Sequence, residues 1–177
     1  MASRMQKKSW LILAIVIIAV GAIVGIALSR NSSSPSEVTL PMITWNETAL
    51  SAFAGTPVVL NFWSIDCSWC RYQLPFLEDI AQQAEGEIKI IAINMVDSAV
   101  RIQTFFGDYE PTMLLALDQN GEAFVEYSLA YNNTRGAIPF TLFVNSQGGV
   151  KYTKIGAFQS EAELKDTLNV ILGTAIP

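Results

Sequence analysis

The stretch Val58-Val59-Leu60-Asn61-Phe62-Trp63-Ser64-Ile65-Asp66-Cys67-Ser68-Trp69-Cys70-Arg71-Tyr72-Gln73-Leu74-Pro75 holds both cysteines of the 177-residue chain. Its first part, from Pro57 to Trp63, is short, apolar, β-branched and aromatic, the signature of a buried strand. From Ser68 to Ala84 the pattern turns helical: Leu74, Leu77, Ile80 and Ala81 share one face, and Gly86 stops the run. A strand ending near Trp63 and a helix beginning near Ser68 put Cys67 at the helix N-terminus. Free backbone amides and the positive end of the helix dipole stabilise a thiolate there, which lowers the thiol pKa and makes Cys67 the attacking sulfur. Cys70 follows one turn later, in a more buried place, where it resolves a mixed disulfide. Ser68 and Trp69 occupy the two places between the sulfurs and tune their potential. Asp66 sits directly before Cys67, and its carboxylate opposes thiolate formation. Trp63 and Trp69 each have two readings, as ordinary core or rim aromatics and as parts of the site.

Composition removes most other chemistries. Histidine is absent, so the usual zinc and haem ligands and any Ser-His or Cys-His pair are missing. Two cysteines make half of a tetrahedral zinc site at most. Haem attachment requires a histidine where Arg71 stands. A structural disulfide closing so short a loop removes little unfolded-state entropy. No cofactor is expected beyond a redox-active Cys67–Cys70 disulfide.

Charge is unevenly divided. Residues 1–36 carry Arg4, Lys7, Lys8 and Arg30 and no acid, while residues 37–177 carry seven bases and all 16 acids. An acidic domain repels phosphates, so nucleic acid is not an expected partner. Trp10 to Leu28 is a 19-residue run without charge. At about 1.5 Å per residue it spans close to the ~30 Å hydrocarbon core as a helix. The basic residues ahead of it place the N-terminus in the cytoplasm and the rest of the chain outside. A cleaved signal peptide is the competing reading, with Ala27-Leu28-Ser29 as a loose cleavage site, but the apolar run exceeds the usual length for one. Either way a disulfide can persist where the domain lies. The expected organisation is a cytoplasmic N-terminus (1–9), a transmembrane anchor (10–28), a Ser-rich flexible linker (29–37) and one domain of about 140 residues (38–177).

Further elements can be read from the same rules. Leu40–Trp45 suggests an edge strand, and Asn46 a cap for a helical turn through Phe53. Ile88–Asn94 reads as a second central strand, and Val100, Phe105 and Phe106 as a helix ended by Gly107. Thr112–Leu117 reads as a strand, Asp118–Gly121 as a turn and Glu122–Tyr131 as a helix. Phe140–Val144 and Val150–Ile155 form a hairpin, and Ser160 with Glu163 opens a last helix through a capping box. Pro75, inside the first helix, lacks an amide hydrogen and is expected to kink it. The order of elements implies an α/β fold with a mixed sheet covered by helices on both sides.

With these residues in view, Val58–Pro75 resembles the active-site stretch of thioredoxin-fold proteins. It is most similar to the membrane-anchored thiol–disulfide oxidoreductases of the TlpA/ResA type, whose stretch runs roughly VVLNFWATWCxxCRxExP. Arg135-Gly136-Ala137-Ile138-Pro139-Phe140-Thr141-Leu142-Phe143-Val144-Asn145 resembles that family's second segment, RGxPTTFLID. The resemblance implies a thioredoxin fold and a cis Ile138–Pro139 bond facing the cysteines, with the Ile138 backbone free to pair with a bound peptide. It also departs from the family: Asp66 stands where Trp is usual, Phe140 where Thr is common, and Ser68-Trp69 where proline-containing pairs are familiar. Asn61 occupies the place of the buried acid of cytosolic thioredoxins. Asp97 matches an acidic residue that approaches the disulfide in ResA-like members. It has two readings, a proton acceptor for Cys70 or a solvated N-cap of the following helix.

The implied activity is thiol–disulfide exchange with protein dithiols or disulfides. The resemblance favours a reductase role, for example in cytochrome c maturation, with electrons arriving from a membrane donor. A disulfide-forming oxidant and a non-enzymatic binding module on the same fold are the rival readings.

Overall fold

The strand at the centre of the molecule, Val58–Trp63, has all six side chains buried, as expected of an apolar run flanked by neighbours on both sides. The computed structural model describes residues 39–40 and 48–177, with side chains from Ser51 onward. In chain order the elements are β1 (Thr39–Leu40), β2 (Thr48–Ala49), a 3-10 turn (Leu50–Phe53), β3 (Val58–Trp63), α1 (Ser68–Gln83), β4 (Lys89–Asn94), α2 (Ala99–Phe106), β5 (Leu114–Leu117), α3 (Glu122–Ala130), β6 (Phe140–Val144), β7 (Val150–Ile155) and α4 (Glu161–Leu172). The anchor read over 10–28, the linker over 29–37 and the cap at Asn46 lie outside the described residues. Among the described residues no helix is long and apolar enough to cross a membrane.

The main sheet has the order β5-β4-β3-β6-β7. β3, β4 and β5 run parallel, while β6 runs antiparallel to β3 and β7 antiparallel to β6. Alternation along β3 divides the core in two. Val59 and Trp63 pack with Leu77 and Ile80 of α1, Ile102 of α2 and Leu164 and Leu168 of α4. Val58, Leu60 and Phe62 pack with Ala123, Phe124 and Tyr127 of α3. Each large side chain buried in these clusters contributes about 1.5–3 kcal/mol relative to exposure.

One expectation is corrected near the start of the domain. Thr39–Leu40 pairs with Thr48–Ala49; the rest of the strand read over Leu40–Trp45 lies outside the described residues. The helical turn begins only at Leu50, because Thr48 and Ala49 are held extended by that ladder. α1 continues through Pro75 as one element. The proline lies on the exposed side of the helix, where water can satisfy the Arg71 carbonyl that it leaves without a donor. The helix ends at Ala84, and Gly86 turns the chain with φ +92°, a backbone region that suits glycine. The capping box of α4 is one-sided. Ser160 Oγ accepts the Glu163 amide at 3.1 Å, but the Glu163 carboxylate reaches the Gln159 amide (2.6 Å) and Lys154 Nζ (2.9 Å).

One buried carboxylate ties the far side of α1 to the chain leading into β5. Glu78 accepts the Thr112 amide at 2.8 Å, the Met113 amide at 3.1 Å, the Tyr109 hydroxyl at 2.8 Å and Gln82 Nε2 at 2.9 Å. Burial alone would raise its pKa, but the two amides and two side-chain donors outweigh burial and hold it below the ordinary carboxylate value. A depressed folded pKa adds stability above the unfolded value of about 4.3 that is lost as pH falls through the folded value. Glu78→Ala is expected to lower stability at pH 7 by about 2 kcal/mol. In urea unfolding as a function of pH, the variant should lose less stability than the parent protein below about pH 4.5.

Candidate active site

The sheet delivers the cysteines. β3 ends at Trp63, Ser64–Asp66 turns the chain, and Cys67 stands as the N-cap of α1 with extended backbone (φ −85°, ψ 107°). The Cys67 carbonyl accepts the Arg71 amide at 3.0 Å, the first bond of the helix. Its sulfur accepts the Cys70 amide at 3.1 Å, so Cys67 does what a Ser or Asp cap does elsewhere. The two sulfurs are joined in a disulfide. Their environments differ, since Cys67 is half-buried and Cys70 only 1% exposed. An incoming sulfur therefore reaches Cys67 and not Cys70.

Opposite them lies the start of β6. The Ile138–Pro139 bond is cis, and the Ile138 carbonyl oxygen lies 3.8 Å from Cys67 Sγ. The Pro139 carbonyl is taken by the Gly156 amide at 2.8 Å, which fixes this corner against the end of β7. The approach from α3 is held by Asn133. Its side chain accepts the Ala137 amide at 3.0 Å and donates to the Ala137 carbonyl at 2.9 Å and to Ser128 Oγ at 3.3 Å.

Behind the disulfide is a neutral polar cluster. Asn61 Nδ2 donates to Thr141 Oγ1 at 2.9 Å, across the β3–β6 register in which these residues face each other. Gln73 Nε2 donates to the same oxygen at 3.3 Å, and Gln73 Oε1 accepts the Phe158 amide at 2.8 Å. Gln73 is fully buried, and no local pattern in the sequence singles it out. Its signal was position: three residues after Cys70, on the face that carries Leu74 and Leu77.

Asp97 is not the solvated N-cap of α2 that one of its two readings expects. Ser98 is the N-cap of α2 and accepts the Arg101 amide at 3.2 Å. Asp97 is 1% exposed. One of its oxygens accepts the Ile65 amide at 2.8 Å and Asn94 Nδ2 at 2.9 Å, and the other pairs with Arg101. Its burial is thus used to hold the turn before Cys67. Asp66 is also not alone, because Arg101 binds its carboxylate at 2.8 Å.

The two tryptophans separate. Trp63 is fully buried, packed against Phe105 and Phe106 with ring centroids 5.8 and 6.2 Å away, and belongs to the core. Trp69 is 58% exposed beside the half-exposed Tyr72, on the rim of the disulfide with the exposed Ser68. Among the described residues no group of His, Cys, Asp and Glu is arranged to hold a metal.

The chain belongs to the Redoxin family, whose profile matches residues 31–171. It is similar to the thiol-disulfide oxidoreductase ResA of Bacillus subtilis (strain 168), with 25% identity over 146 residues, covering 82% of this chain and 77% of the relative. ResA of Oceanobacillus iheyensis is 28% identical over 109 residues, 61% of this chain but only 54%, about half, of that relative's length. Among solved structures, StoA from Bacillus subtilis aligns with a TM-score of 0.61 at 22% identity over 76% of this chain and 98% of its own. A putative thiol:disulfide interchange protein DsbE from Chlorobium tepidum aligns with a TM-score of 0.68 at 20% identity over 79% of this chain and 96% of its own. These likenesses establish the thioredoxin-like fold, a five-stranded mixed sheet flanked by helices.

Asn133→Ala removes the partners of the Ala137 amide and carbonyl ahead of the cis-proline. Hydrogen exchange at Ala137 should speed up by at least tenfold, with global stability lower by about 1–3 kcal/mol, as read by exchange NMR and urea unfolding.

Proposed function

We propose that the protein is a thiol–disulfide oxidoreductase that exchanges electrons with protein substrates through Cys67 and Cys70. The observation that carries this reading is the asymmetry of the two sulfurs. Cys67 is reachable at a helix N-terminus, 3.8 Å from the Ile138 carbonyl, while Cys70 is buried one turn behind it.

In the reducing direction the Cys67 thiolate attacks one sulfur of a substrate disulfide. The S–S bond breaks, the leaving thiolate takes a proton, and a mixed disulfide joins substrate to Cys67. The Cys70 thiolate then attacks Cys67 Sγ, releasing the substrate dithiol and leaving the Cys67–Cys70 disulfide. Two electrons pass to the substrate, and an external dithiol must return them. The helix N-terminus favours the thiolate at Cys67 in every step that forms it. The Ile138 backbone is placed to pair with an extended substrate segment beside the sulfur. Asp97 acts in this scheme by fixing the Ile65 amide ahead of Cys67.

The physiological setting is read from the N-terminal sequence as a single-pass anchor over residues 10–28 with the redox domain outside the cytoplasm, and from the family resemblance as a membrane dithiol donor. The reductase role, of the kind used to keep cysteines reduced for haem attachment, follows the family resemblance of Val58–Pro75 and Arg135–Asn145. A disulfide-forming oxidant remains the second reading, because Asp66 and Ser68-Trp69 depart from the family pattern at the positions that set the potential.

Insulin disulfides should be reduced in the presence of a dithiol donor, with turnover abolished by Cys67→Ser. Cys70→Ser should trap a substrate on Cys67 as a mixed disulfide that dithiothreitol releases. Turnover by Cys67→Ser equal to the parent protein would instead indicate a binding module. Equilibration with glutathione should place the potential near −270 mV for a reductase, whereas a value near −120 mV would mark an oxidant.

A further inference from the structure

We infer that Arg101 is a positioning residue of the redox site: it neutralises Asp66 beside the attacking sulfur and holds the turn that presents that sulfur. Asp66 immediately precedes Cys67, so an unpaired carboxylate there would repel the Cys67 thiolate. Arg101, on the first turns of α2, places one guanidinium nitrogen 2.8 Å from Asp66 Oδ1 and another on Asp97 Oδ1. The other Asp97 oxygen accepts the Ile65 amide at 2.8 Å. One side chain therefore grips the turn at Asp66 directly and at Ile65 through a buried carboxylate.

An exposed ion pair by itself contributes little, because two flexible side chains must be ordered to make it. This pair differs in one respect. Asp97 is fully buried and clamps the guanidinium, so the second contact, to Asp66, orders only one further side chain. The charged residues of the turn before Cys67, the first turn of α1 and the approach to and start of α2 are Asp66, Arg71, Asp97 and Arg101, and Ala137–Phe140 opposite carries no charge. Arg101 bridges both carboxylates. Without it, Asp66, one residue from the sulfur, loses its guanidinium partner.

This inference rests on Cys67 being the attacking thiol. The experiment is the alkylation rate of the reduced protein by iodoacetamide at pH 7, with the modified cysteine located by mass spectrometry. Arg101→Gln should slow alkylation of Cys67 about three- to tenfold, while Arg101→Lys keeps most of the rate. Asp66→Asn, which leaves Arg101 and Asp97 paired, should leave the rate no lower than the parent and up to several-fold higher. Asp66→Asn with Arg101→Gln should recover most of what Arg101→Gln loses. A slower Asp66→Asn variant, or a double variant as slow as Arg101→Gln alone, would overturn the inference; so would an Arg101→Gln variant that folds and reacts at the parent rate. Should the parent protein be alkylated first at Cys70, or fail to turn over a disulfide substrate, it is the functional reading that falls.

Discussion

The antiparallel pairing of Val58–Phe62 with Phe140–Val144 sets the geometry of the whole site. β3 leaves the sheet at the edge where β6 enters it, so the turn before Cys67 and the Ile138–Pro139 corner are neighbours although 71 residues separate Cys67 from Ile138. The same pairing sets Asn61 against Thr141 and so builds the polar cluster behind the sulfurs. A one-residue slip in this register would turn Asn61 toward the α3 face, beside Phe124, and away from Gln73 of α1. The apolar packing on both faces thus fixes which residues can meet at the edge.

At that edge the chemistry depends on how polar groups are spent. The turn from Ser64 to Asp66 cannot be stabilised by apolar burial alone, because its backbone amides need partners. Asp97 supplies one to Ile65, and Cys67 Sγ serves the Cys70 amide. The sulfur that reacts is therefore also the cap of its own helix. In the thiolate form the cap becomes a stronger acceptor, so the helix N-terminus and the nucleophile reinforce each other. Asn61, Gln73 and Thr141 are neutral, satisfied and closed off.

Much of this could be read in the order of residues. The apolar run 58–63, the helical stripe Leu74, Leu77, Ile80 and Ala81, the Ser160 cap and the hairpin over 140–155 are local patterns, and local patterns survive into the fold. The relation of Cys67 to the helix start is also local, and Ile138–Pro139 was marked by resemblance. Asp97 was marked as well, but its surroundings were not, since its donors come from the turn at Ile65, from Asn94 and from Arg101. Trp63 could be assigned to the core only once Phe105 and Phe106 were seen against it.

The sequence by itself determined the strand–Cys67–helix unit and the direction in which the sulfurs differ, because these follow from periodicity and from groups a few residues apart; the redox fold comes from the family resemblance of its two segments. Tertiary structure alone decided which charges face the nucleophile. Asp66 looks like an opponent of the thiolate until Arg101, 35 residues later, is folded against it. Gln73 looks like one polar residue on a helix until Thr141 and Phe158 close around it. Electrostatic and hydrogen-bond partners depend on distance in space, and chain order carries no direct record of that distance.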